Sequence, residues 1–373
     1  MKYYLLAGEA SGDLHGSRLI EALRNEDAGA TVRCWGGDLM QAAGATLVKH
    51  YRELAFMGFW EVVKNLRTIS ANFDQCKLDI THFQPDVLIL IDYPGFNLRM
   101  ATWAHRQGFR VFYYISPQLW AWHSSRVHII KTAVERMYVI LPFEKDFYEK
   151  HGVEVDYVGH PLLDGISNFV PPADFRNRHR LPAGKPIVAL LPGSRKQEVK
   201  RMLALMLRVV AGFPGYTFAI AGAPALDRSF YEPFLRQHPA VGFVENGTYP
   251  LLKNASAALV TSGTATLETA LSGVPQVVCY KGNHLSYWLA RRLVSKDLKY
   301  ISLVNLIAGR QVVVELIQRQ LTVANLTREL KKLLEGETRK SMQQDYAAVV
   351  AILGSEGASR RAARLMVERL SVH

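Results

Sequence analysis

Several short runs in this chain are apolar at every position, and each ends in a small-residue turn that leads straight into a helical pattern. Tyr3 to Ala7 enters Gly8-Glu9-Ala10-Ser11-Gly12-Asp13, and Val87 to Ile91 enters Asp92-Tyr93-Pro94-Gly95. Ile187 to Leu191 enters Pro192-Gly193-Ser194-Arg195, and Ala257 to Val260 enters Thr261-Ser262-Gly263-Thr264. A strand with no polar face has no side to offer water, so it belongs in a parallel sheet covered by helices on both faces. Repetition of strand, turn and helix through both halves predicts an α/β protein of two doubly wound, Rossmann-like sheets.

The length of 373 residues suffices for two separate cores. Pro171, Pro172, Pro182 and Pro186 flank the basic run Arg176, Arg178, His179 and Arg180, and continuous structure does not survive that many prolines. The boundary is therefore expected there: a first domain at 1–170, a second at 171–344, and a C-terminal helix from about 345 to 373 returning to the first. Within the tail, helices are expected near 323–335, 338–353 and 358–370.

A net charge of +12 predicts attraction to something anionic. No zinc-finger spacing, ribonucleoprotein motif or long basic arm is present, which argues against nucleic acid. Cys34, Cys76 and Cys279 are few and far apart, as in a reducing, cytoplasmic compartment. The N-terminal apolar run is too short for a signal peptide, and no stretch reaches the ~18 apolar residues of a membrane span, so membrane contact is expected to be peripheral.

The turn from Ser262 to Glu268 reads as a phosphate site. A helix N-terminus has orphaned N–H groups and a positive dipole end, Gly263 admits a ligand to the backbone, and the Thr264 and Thr266 hydroxyls add donors. Glu268, one turn on, is placed to accept from ribose hydroxyls; a well-capped βα turn, with Ser262 or Thr264 as N-cap, is the alternative. Arg195 suits bidentate phosphate contact, unless it pairs with Glu198. Ser11 sits in a similar Gly-Ser loop, without the spacing of a dinucleotide fingerprint. Asp92, at the carboxyl end of a buried strand, stands where open α/β sheets place ligands, and desolvation there makes a carboxylate a competent base. An Asx turn is the competing reading. The loop His160 is read as hydrogen-bonded within the protein or as a ligand contact.

Phe59, Val62, Val63, Leu66, Ile69 and Phe73 recur at helical spacing, with Lys64, Arg67 and Asn72 opposite. Such a stripe packs into a core or, with Trp60 at its start, lies on lipid. Trp120 and Trp122 in a loop after a strand are candidates for a sugar face or an acyl chain. Ser286 to Lys299 is amphipathic and basic, and Asn305 is the polar exception in Leu303 to Ile307.

Taken in order, Gly8 to Asp13, Met57-Gly58, Ile91 to Asn97, Tyr114 to Pro117, Trp120-Ala121-Trp122, Leu141-Pro142-Phe143-Glu144, Gly159-His160-Pro161, Leu191 to Arg195, Ser262 to Ala265 and Asn305 to Arg310 resemble the lipid-A-disaccharide synthase family. These are glycosyltransferases of the GT-B type, with two Rossmann-like domains facing a cleft, and the resemblance runs from about residue 3 to the C-terminal helix. It implies inverting transfer of 2,3-diacylglucosamine from UDP to the 6-hydroxyl of 2,3-diacylglucosamine 1-phosphate, giving a β-1,6-linked disaccharide and UDP. The family's proposed general base matches Asp92, its diphosphate arginine Arg195, and its nucleotide-site asparagine Asn305. Ser11, Ser262, Gly263, Thr264, Ala265 and Glu268 complete the expected donor site. Trp60, Val62, Val63, Leu66, Ile69, Trp120 and Trp122 are the expected acceptor or lipid contacts. Some members read Asp-Ala-Pro-Asp where this chain has Asp92-Tyr93-Pro94-Gly95, so a role for the second aspartate does not carry over. No cofactor is implied, and no Asp-x-Asp pair calls for a metal. The expected setting is the anionic inner face of the cytoplasmic membrane, with a homodimer left open. Rival readings are a UDP-sugar 2-epimerase, another lipid-linked hexosaminyltransferase, or a non-catalytic nucleotide or lipid binder.

Overall fold

The computed structural model describes all residues except 55–65, 122–123, 167–168, 283–298 and 372–373, together with the side chains of 66, 67, 69 and 124. The chain divides into two compact units. Unit 1 is Met1–Pro161 with Ser355–His373, and unit 2 is Leu162–Gly354.

Unit 1 holds seven parallel strands: β1 (Lys2–Ala7), β2 (Thr31–Gly36), β3 (Thr46–His50), β4 (Val87–Ile91), β5 (Val111–Tyr114), β6 (Arg136–Val139) and β7 (Val155–Tyr157), in the order β3-β2-β1-β4-β5-β6-β7. Unit 2 repeats the plan with β8 (Ile187–Leu191), β9 (Thr217–Gly222), β10 (Gly242–Glu245), β11 (Ala255–Thr261), β12 (Gln276–Tyr280) and β13 (Val314–Ile317), ordered β10-β9-β8-β11-β12-β13. The all-apolar strands are buried as their sequences require: every residue of β4 and β8 is buried. Burying each such side chain is worth roughly 1.5–3 kcal/mol.

The proline-rich segment does not mark the boundary. Phe175 and Leu181, inside it, are buried in the core of unit 2 beside Ile187 and Val260, so the chain has already crossed at Pro161. The return is also later than expected. The Thr338–Leu353 helix packs in unit 2, where Tyr346 accepts a hydrogen bond from Gln276 at 3.2 Å. Only the Ala358–Ser371 helix goes back, against the Ala10–Glu26 helix.

Of the expected 59–73 stripe, Trp60, Val62 and Val63 lie outside the described residues, and so does most of the basic 286–299 segment. Leu66 and Ile69 fall in the Leu66–Phe83 helix, whose described part is a core helix: Phe73, Cys76 and Ile80 are buried. Asn72, expected on the solvent side, is buried as well.

Candidate functional site

In each sheet the strand order reverses direction beside the first strand, between β1 and β4 in unit 1 and between β8 and β11 in unit 2. Ligands of open α/β folds bind outside the carboxyl ends of the strands at such switch points. Asp92 falls at the first of these places, and Arg195 with the turn from Ser262 to Glu268 at the second.

Asp92 follows β4 directly. It and Tyr93 take left-handed backbone conformations, with φ of 45° and 50°. Two consecutive non-glycine residues in that region store strain of order 1–3 kcal/mol each, which persists only where neighbours impose it. Here they do. The Asp92 carbonyl accepts from the Tyr113 hydroxyl at 2.6 Å and from the Asn97 amide at 2.8 Å. The same buried amide also reaches the Leu6 and Ile91 carbonyls, so it ties the ends of β1 and β4 together. The Tyr93 ring lies on Gly8, where an added Cβ would collide with the ring carbons. The backbone of Asp92 is thus fixed while its carboxylate stays partly exposed. Burial of that carboxylate, reinforced by the nearby Glu9 charge and opposed by the Tyr93 N–H, raises its pKa to about 6.

The loop after β1 differs from expectation. The helix begins at Ala10, so Ser11 is an exposed residue of its first turn, not part of an open loop. Asp13 is buried and accepts from the backbone N–H groups of Gly37, Leu39 and Met40, which caps the Asp38–Ala42 helix. Trp120 is 9% exposed, packed edge-on against Phe143, and its indole donates to Glu144 at 3.2 Å. It is a core residue in this structure, not a platform for lipid; Trp122 lies outside the described residues. Glu144 also accepts from Ile140 and Leu141 N–H, and burial lifts its carboxyl to about 7. His160 is buried, and burial with the neighbouring His15 lowers it to about 3, so it is neutral at physiological pH. A cavity of about 480 Å³ beside Lys131, Arg136 and Arg369 lies at the opposite end of the sheet from Asp92 and takes no part in this site.

In unit 2 the turn after β11 has Gly263 as N-cap, at φ 156° and ψ −163°, a region essentially reserved for glycine. No side chain caps the Thr264–Leu271 helix, so the capped-turn alternative does not hold. The N–H groups of Thr264 and Ala265 open an N-terminus of the kind that binds anions. The Thr266 hydroxyl, expected to face ligand, is buried and donates to the Gly263 carbonyl at 2.8 Å. Ser262 braces the turn by donating to the Ile301 carbonyl. Glu268 accepts from the Tyr249 hydroxyl at 3.1 Å, and burial raises its pKa. Arg195 is exposed and makes no ion pair with a described residue; Glu198 accepts from Ser194 N–H instead.

Asn305 is fully buried and wholly engaged. Its amide donates to the Val313 carbonyl and to Glu315, and accepts from Val312 and Val313 N–H. Glu315 also takes the Ile301 and Ser302 N–H groups. Asn305 therefore holds the segment that carries Ile301 against the Gly263 turn, and has no free amide for a nucleotide. Asn305→Ala leaves two buried N–H groups and a carboxylate short of partners, which costs about 3–5 kcal/mol. The expected result is a drop in Tm of roughly 10 °C in a thermal scan; an unchanged Tm rejects the bracing role.

Gln318 carries no signal in the sequence, and Asn97 and Glu144 stand there only inside longer motifs; the Leu6 carbonyl that Asn97 reaches and the Trp120 indole on Glu144 come from remote segments.

A family description, lipid-A-disaccharide synthetase, matches residues 3–368. The lipid-A-disaccharide synthase of Syntrophus aciditrophicus is 40% identical over 366 residues, covering 96% of this chain and 95% of that one. That of Myxococcus xanthus is 38% identical over 372 residues, covering 98% and 97%. Among solved structures, Methanocaldococcus jannaschii UDP-GlcNAc 2-epimerase in complex with UDP-GlcNAc and UDP aligns with a TM-score of 0.64 at 12% identity, over 99% of this chain and 100% of that one. The glycosyltransferase of kitacinnamycin aligns with a TM-score of 0.67 at 15% identity, over 99% and 98%. These two share the GT-B fold. With the family match spanning almost the whole chain and relatives this similar over almost their full lengths, the chain belongs to the lipid-A-disaccharide synthase family of hexosyltransferases.

Proposed function

We propose that this chain joins UDP-2,3-diacylglucosamine to 2,3-diacylglucosamine 1-phosphate with inversion at the anomeric carbon, and that Asp92 is the general base. The observation that carries this reading is Asp92, whose backbone is fixed at the β4 switch point and whose carboxyl has its pKa raised to about 6. In the step, the acceptor 6-hydroxyl gives its proton to Asp92 as its oxygen bonds to the donor C1. The C1–phosphate bond breaks, and its electron pair leaves on UDP. Charge builds on the departing diphosphate, where the Thr264 and Ala265 N–H groups and Arg195 stabilise it. Glu268 takes the ribose hydroxyls, and Ser11 is a further donor contact on the family resemblance. Both substrates carry acyl chains, and the basic balance of +12 suits an acceptor phosphate and an anionic leaflet, so we place the enzyme peripherally on the cytoplasmic face of the membrane.

UDP release from the diacyl donor tests the reading. Release that requires the acceptor, in a preparation that sediments with anionic vesicles, supports it. Tight UDP binding without release from either lipid rejects it, and epimerisation without acceptor transfers the chain to the other reading.

A further inference from the structure

Where β13 ends, the chain turns at Gln318, which has a left-handed backbone with φ of 51°. Its side chain is 8% exposed, and both amide atoms lack a hydrogen-bond partner among the described residues. Buried polar side chains in folded proteins are satisfied in the large majority of cases, and an amide orphaned at both ends is a rare arrangement. Strained backbone of this kind also clusters at ligand sites. The amide lies over the end of the neighbouring strand: a Cβ placed on Gly282 would stand 3.3 Å from Gln318 Nε2 and 3.2 Å from the Tyr280 hydroxyl. That strand end is itself pinned, because Arg201 donates to the Lys281 carbonyl at 2.8 Å. Arg201 comes from the Lys196–Met206 helix that begins at the Arg195 loop. The orphaned amide therefore belongs to the same carboxyl edge as the Gly263 turn.

We propose that Gln318 is the docking point for a secondary amide, the N-acyl group of the sugar in a nucleotide-sugar donor. The Nε2 of a free side-chain amide can donate to the outward carbonyl of an N-acyl group, while Oε1 is left to accept from a neighbouring hydroxyl of the donor. The inference rests on the reading of unit 2 as the nucleotide-sugar half. Glu268 is bonded to Tyr249, from the Thr248–Lys253 helix that follows β10, so the ribose end lies toward β10. With the diphosphate on the Gly263 turn, the sugar extends the other way, toward β12 and β13, where Gln318 stands.

The test is calorimetric binding of UDP, UDP-glucose and UDP-N-acetylglucosamine to the full chain, for the parent, Gln318→Leu and Gln318→Glu. UDP-glucose has a hydroxyl where the other sugar has an N-acyl group. The parent is expected to prefer the N-acyl sugar by up to about tenfold, the upper end for one neutral hydrogen bond. Gln318→Leu loses that preference and binds UDP as the parent does, which also shows that it is folded. Gln318→Glu keeps an acceptor but has no N–H for the acyl carbonyl, so it loses the N-acyl preference as the Leu variant does. A Leu variant that keeps the full preference, a parent without one, or an equal loss on all three ligands each overturns the proposal. The last of these outcomes assigns Gln318 to the uracil edge or to stability. Because binding is read without an acceptor, failure of lipid transfer leaves this result standing on its own.

Discussion

Asp92→Asn lowers acceptor-dependent turnover by about 10²–10⁴-fold while UDP affinity stays within about a factor of two, the signature of an interaction used in the chemical step. The amide is nearly isosteric, so the Tyr113 and Asn97 bonds to the residue 92 carbonyl persist and the turn keeps its shape. Only the proton acceptor is removed. For the parent, kcat/KM should rise about tenfold per pH unit below pH 6 and level off above, because the base acts ionised and its pKa is about 6. Burial is the main cause of that value and Glu9 the second, so Glu9→Gln should move the rising limb to lower pH. Stability has the opposite sign. The folded pKa lies above the ordinary 3.8, so the contribution of Asp92 to stability is present below about pH 4 and is lost as pH rises through 6. Asp92→Asn removes that loss. The variant should therefore unfold in urea with a stability above the parent's by on the order of 2 kcal/mol at pH 8, and no difference should remain near pH 4. A dead enzyme that is also more stable separates catalysis from folding. Full turnover in the variant moves the base elsewhere.

What could be read from the sequence was whatever a single segment dictates. Fully apolar strands announce a sheet covered on both faces, and the helices at 323–335 and 338–353 follow from apolar periodicity with Gly336 and Gly354 behind them. Asp92 stood out because a carboxylate directly after five buried apolar residues has few structural uses. The turn at Gly263 stood out because glycine before a helical pattern leaves N–H groups uncapped.

The failures share a cause: the deciding partner is remote. Asn305 looks like a free polar residue until Val312, Val313 and Glu315 are seen to take its amide. Trp120 looks like an exposed platform until the Glu144 carboxyl is found on its indole. The prolines at 171–186 mark irregular chain, but not whose core it joins; Phe175 and Leu181 decide that by burial. Gln318 gives no local signal at all. A lone glutamine becomes informative only when the fold buries it without a partner.

Arg195→Ala is expected to lower kcat/KM by about 10²–10³-fold, the loss seen when one preorganised donor to a developing anion is removed. Arg195 is the N-cap of the Lys196–Met206 helix, with extended backbone at φ −101° and ψ 136°, and it follows the Gly193-Ser194 turn at the end of β8. That places a guanidinium on the strand beside β11, whose Gly263 turn offers the uncapped N–H groups. Glu198, the one nearby carboxylate the sequence suggested as its partner, instead holds the Ser194 N–H. Among the described residues no acid neutralises that charge before ligand arrives. Part of the loss should appear as weaker UDP binding and part as slower turnover, since negative charge on the leaving group grows in the transition state. Arg195→Lys keeps a cation but not the planar fork, so it should recover a fraction of the loss and leave turnover more sensitive to salt than in the parent. Uridine, which has no phosphate, should bind the parent and the alanine variant alike. Equal UDP affinity and equal kcat/KM in parent and Arg195→Ala would return this arginine to the solvent surface and leave the diphosphate to the helix N-terminus alone.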